Sequence, residues 1–157
     1  MNSYTLLQTL LTLHLTALVL MAGTIVIDSL MYRTFWQQHE INRERSLNLL
    51  AASGKFGRLS GIGAALLILT GFAMMFITHG VFGEQLWFRI KFGLVILLII
   101  INLLARRRSL KLRKIISLSD AASLTEIGKI RVFLKRYFIT AFIIFFLIIF
   151  LSVFKFN

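Results

Sequence analysis

The sequence predicts an all-α integral membrane protein: one domain, 1–157, folded as an up-and-down bundle of four transmembrane helices. Three observations carry this reading. Hydrophobic residues make up 58% of the chain and charged residues only 15%, with a mean hydropathy of +0.85; a soluble domain is about half apolar and about a quarter charged. Four runs, roughly 5–27, 60–78, 86–105 and 137–154, are long and apolar enough to cross hydrocarbon. The basic residues gather in the two long segments between runs.

The first run follows "MNSYTLL", which lacks the positive n-region of a secretory signal, so it reads as a retained span. The second opens "SGIGAALLILTG". Its pairs Gly61/Ala65 and Ser60/Ala64 are small residues four apart, the spacing that lets membrane helices approach closely. The same small face could admit a flat ligand or a second copy of the chain. "THGVFGEQ" then makes a tight turn, so spans two and three form an antiparallel hairpin. Span three continues as helix into "RRRSLKLRK". Helix four begins near residue 122, where "SLTE" has capping-box spacing and Ile127, Ile130, Leu134 and Tyr137 follow at helical intervals. Its membrane run, "YFITAFIIFFLIIFLSVF", has only Thr140 and Ser152 as polar residues and is assigned a structural role.

The net charge of +12 sets topology. Segment 32–58 carries Arg33, Arg43, Arg45, Lys55 and Arg58; segment 106–136 carries the "RRRSLKLRK" run with Lys129, Arg131, Lys135 and Arg136. Such asymmetry places both segments in the cytoplasm and both termini outside, in the cell (inner) membrane. The basic run reads as a stop-transfer flank, with a patch for anionic membrane lipid as the alternative. No aromatic-interleaved or groove-reading motif accompanies the charge, which argues against nucleic acid. With no cysteine, disulfides and thiolate metal sites are excluded.

Ionisable groups inside a span cost a few kcal/mol and tend to serve function. Span one holds His14 and Asp28, fourteen residues apart and within about 40° on one helix face, separated by about 21 Å of rise. Met21 lies between them. Span three repeats the pattern with Lys91 and Asn102, about 20° and about 16 Å apart. Read inward, each stripe presents a basic group first and a carboxylate or amide second, so the stripes are expected to face one another. Each residue also has a plainer role. His14 can bond a neighbouring carbonyl, and Lys91 can snorkel to the headgroups beside Trp87. Asp28 is expected to pair with Lys55 or Arg58, while His39 and His79 fall outside the hydrophobic depth and are expected to be solvated.

The first-span "TLHLTALVLMAG", the opening "GRLSGIGAALLILTGF" of span two and "LWFRIKFGLVILLIII" in span three resemble the HemJ family of four-helix membrane proteins and its CopD-like relatives. The resemblance covers about residues 8–105. It implies protoporphyrinogen oxidase activity on haem b, with His14 as metal ligand and Lys91 as its catalytic partner. Trp87 and Met21 would border the cofactor, and porphyrinogen and a quinone would be the reactants. After span one the chain departs from the family, reading "DSLMYRTFW" where a proline- and histidine-containing segment is expected. Two other readings stand beside this one. The chain can be a non-catalytic assembly subunit whose polar stripes fix helix register. It can also be a copper or small-molecule transporter, with Met21, Met74 and Met75 adding soft ligands to His14.

Overall fold

The computed structural model describes residues 3–39, 41–78, 85–118 and 124–154. It contains four helices in chain order: α1 (Ser3–His39), α2 (Arg43–Ile77), α3 (Leu86–Leu118) and α4 (Leu124–Val153). Each is long and apolar enough to cross a membrane, and no more than 28% of each apolar stretch is buried within the bundle. Large side chains such as Val19, Leu69, Phe76 and Phe146 point outward. That much outward apolar surface is stable only against lipid, so the protein is a multi-pass membrane protein.

At about 1.5 Å per residue, α1, with 37 residues, is about 55 Å long, well beyond a hydrocarbon core of about 30 Å. The basic segments are therefore mostly helical extensions of the spans. Within segment 32–58, α1 ends at His39 and α2 begins at Arg43; the amides of Ile41 and Asn42 donate to the Gln38 carbonyl, at 3.0 and 2.8 Å. Asn42 then caps α2, its side-chain oxygen accepting from the Arg45 amide at 3.0 Å, with Glu44 in the first turn. Both features satisfy the unpaired amides and positive end of a helix N-terminus. The "RRRSLKLRK" run continues α3. Most of the "THGVFGEQ" turn, His79 and Ser123 of the capping box lie outside the described residues.

The bundle is two helix hairpins, α1 with α2 and α3 with α4, in sparser contact with one another. On α4, Ile130, Leu134, Tyr137, Ala141, Ile144 and Ile148 are buried, alternating four and three residues apart as in a coiled-coil seam. They meet Leu98, Ala105 and Leu112 of α3, which recur every seven. The α1/α2 hairpin closes differently. A Cβ on Gly63 would lie 3.2 Å from both the Ala17 carbonyl oxygen and the Met21 amide nitrogen, so here the two helices touch through backbone. Of the two expected small-residue pairs, Ser60 and Ala64 turn inward, while Gly61 and Ala65 are exposed on the outer face. Gly63, between them, makes the closest approach.

Candidate functional site

The α1/α2 crossing sets two polar levels. Because the helices run antiparallel and meet at Met21 and Gly63, residues before Met21 lie opposite residues after Gly63, and the reverse. His14 accordingly meets Thr70: Nδ1 and the threonine Oγ1 are 2.8 Å apart. The Thr70 hydroxyl donates to the Leu66 carbonyl at 2.6 Å. With its one hydrogen used there, Thr70 can only accept from His14, so Nδ1 carries the proton and the neutral ring's lone pair sits on Nε2. The ring also meets the backbone of Leu67. The ring edge lies beside Gly71, where a Cβ would be in ordinary contact with His14 Cε1 at 3.5 Å.

Lys91 of α3 is partly buried and within electrostatic range of His14, but the hydrogen bonds of His14, Asp28 and Asn102 all go to α2 rather than between α1 and α3. Trp87, one turn earlier, is 7% exposed; its indole Nε1 donates to the Gln85 side-chain oxygen at 2.6 Å. Trp87 therefore packs within the bundle. Met21 is 1% exposed, held against the Gly63 backbone two turns from His14. At Ala17, Met21 and Gly63 the small residues are spent on helix contact, and no flat group fits between α1 and α2 there.

The second level lies toward the basic end. Ser53 of α2 donates to Asp28 Oδ1 at 3.0 Å, and Asn102 Nδ2 donates to the Ser60 hydroxyl at 3.0 Å. The expected ion pair of Asp28 with Lys55 or Arg58 does not form. Among the described residues the one ion pair is Lys111 with Glu126. Ser53 takes the carboxylate instead, while Lys55 and Arg58 border the same cavity with their side chains largely exposed.

Between the hairpins at this level is a cavity of about 370 Å³ with walls from all four helices, including Asp28, Ser53, Asn102 and Tyr137. None of His14, Lys91, Trp87 or Met21 lines it. Further along the basic end, His39 also departs from expectation. It is partly buried against Phe35 and Trp36, with ring centroids 5.3 and 5.8 Å away, rather than solvated. Arg131 of α4 closes this aromatic group, its guanidinium 4.5 Å over the Trp36 ring, while Tyr32 donates to the Arg131 carbonyl at 2.7 Å.

Sequence reasoning missed the α2 partners Ser53, Ser60 and Thr70. Ser60 is marked in the sequence only as one of a small-residue pair, and the signal for all three is their placement on one broad helical face. Among the described residues no cluster of three His, Cys, Asp or Glu side chains could hold a metal ion, so a metal here would need an open-sided or cofactor-borne site. No family model, curated protein or solved structure matches the chain.

Proposed function

We propose that the protein is a haem b-binding membrane oxidoreductase of the HemJ kind, in which His14 would hold the haem through Nε2. The observation that carries this reading is the chain His14 Nδ1 to Thr70 Oγ1 to Leu66 carbonyl. A metal-binding imidazole characteristically donates its other nitrogen to a fixed acceptor, which sets the tautomer and ring direction. The chemistry of this imidazole, with Nδ1 anchored and Nε2 unprotonated, suits a ligand to porphyrin iron. Bound there, haem supplies one-electron redox chemistry.

The chain's own residues would do the rest. Thr70 holds the imidazole on the α2 face and keeps its proton on Nδ1. Lys91, within electrostatic reach of His14, offers a cation for a carboxylate of a porphyrin. Trp87 packs one turn above it. A site at this depth suits an apolar, membrane-soluble reductant such as a porphyrinogen and a quinone as acceptor. The charge asymmetry orients the chain with both termini outside and the basic ends of the helices in the cytoplasm.

The same hydrogen bond favours one other reading, a non-catalytic subunit in which His14 and Thr70 simply fasten α1 to α2. An absorption spectrum of protein purified after expression with ample haem separates the two. A Soret band with b-type α and β features, lost or displaced in His14→Ala, supports the haem reading. Wild-type protein without such bands, or a His14→Ala spectrum like wild type, overturns it in favour of the fastener.

A further inference from the structure

We propose that the cavity at the basic end is a headgroup site for an anionic phospholipid, whose phosphate is held between Arg58 of α2 and Arg106 of α3. Charge is the first argument. The cavity is lined by Lys55, Arg58, Arg106 and Arg113 against the single carboxylate of Asp28. That carboxylate already accepts from Ser53, and none of the four cations forms an ion pair among the described residues. The site therefore carries a surplus of positive charge facing a shared space.

Depth is the second. Arg58 immediately precedes the apolar stretch of α2, and Arg106 immediately follows that of α3. Both sit where hydrocarbon gives way to headgroups, at the height of lipid phosphates. The Asn102–Ser60 bond, one turn deeper on α3 and about half a turn deeper on α2, keeps the two helices in register. Arg106 crosses toward α2 rather than away from it, its Nε 3.9 Å from the position of a Cβ on Gly57.

Shape is the third. The cavity lies between the two hairpins, where the bundle is least tightly joined, and its other walls include Met31, Leu50, Leu134 and Phe138. Arginines that converge on a space with apolar walls match a phosphate carrying a glyceride. Guanidinium groups bind phosphate through paired, charge-assisted hydrogen bonds, and basic pockets between membrane helices select anionic headgroups. A choline headgroup would bring a cation toward four others. The lipid would bridge the hairpins and so stabilise the bundle by mass action. This site is separate from His14 and does not depend on haem.

The test is thermal unfolding of the full chain in neutral detergent, titrated with phosphatidylglycerol, phosphatidylcholine or inorganic phosphate. Phosphatidylglycerol should raise the midpoint saturably, and the other two should not. Arg58→Gln and Arg106→Gln, each read against its own lipid-free midpoint, should weaken the half-saturating concentration roughly tenfold, the scale of one charge-assisted contact. Arg107→Gln removes the same charge at the same height but outside the cavity, and should leave the titration unchanged. Equal weakening by Arg107→Gln, or an equal response to phosphatidylcholine, overturns the site. A matching shift from inorganic phosphate alone overturns its assignment to lipid. If either glutamine variant fails to fold, native mass spectrometry of the wild type decides. Preferential retention of phosphatidylglycerol supports the site, and equal retention of both lipids overturns it.

Discussion

His14 and Thr70, on different helices and 56 residues apart, are joined by a 2.8 Å hydrogen bond whose direction is dictated by Thr70's own bond to Leu66. The imidazole is thus a donor at Nδ1 whichever role it serves. Its surroundings make the two roles separable by substitution.

Thr70→Val keeps the shape of the side chain and removes the acceptor. As a fastener, the bond should contribute about 0.6 kcal/mol, the mean for interhelical hydrogen bonds in membranes. His14→Ala and Thr70→Val should then show that coupling in a double-mutant cycle of thermal stability. If His14 also ligates haem, Thr70→Val should weaken haem binding by about 10- to 100-fold. Unchanged haem affinity in Thr70→Val would remove Thr70 from the site.

Gly63→Ala should destabilise the bundle, whereas Gly61→Ala should not. A Cβ at 63 would press on the Ala17 carbonyl and the Met21 amide at 3.2 Å, and nothing lies within 4 Å of one at 61. Backbone cannot swing aside as a side chain does, so the cost at 63 is of the order of overpacking, about 1–3 kcal/mol. Reversible unfolding in detergent would measure it. Equal effects at the two glycines would contradict the crossing at Gly63.

Asp28→Asn should retain stability, because the amide oxygen still accepts from Ser53. Ser53→Ala should lower it by about 0.5–1.5 kcal/mol, the ordinary net worth of a hydrogen bond. Lys55→Gln should leave it within about 0.5 kcal/mol, as for an exposed charge. A loss from Lys55→Gln larger than that from Ser53→Ala would restore the ion pair that the geometry lacks. Activity abolished in Asp28→Asn at full stability would assign the carboxyl to proton transfer.

Cysteines placed at Asn2 and Ser117 should react from opposite sides of intact cells. The chain has no cysteine of its own, so each introduced thiol reports alone. Reaction of both from the same side would overturn the orientation drawn from the basic segments.

The fold class was legible in the sequence because it follows from one-dimensional quantities: the length of each apolar run and the placement of charge between runs. The same holds for the helical extensions, since "RRRSLKLRK" interrupts hydropathy without interrupting helix propensity. The levels of His14 and Asp28 on α1, and of Lys91 and Asn102 on α3, were also readable, because a helix converts residue spacing directly into height and angle. What faces those residues was not. Asp28 meets Ser53 rather than Lys55, and which of two groups bordering one cavity takes the carboxylate is settled by packing. His39 packs on Phe35 and Trp36, four and three residues before it on the same helix, so its neighbours were readable from spacing, whereas Arg131 reaching Trp36 from α4 was not. Composition and spacing by themselves determined that this chain spans a membrane four times and carries polar groups at two depths. The tertiary structure decided that Gly63 is the crossing, that Thr70 sets the His14 proton, and that Arg58 and Arg106 look into one cavity. Those are contacts between helices, fixed by close packing of surfaces that the linear order leaves free to rotate and slide.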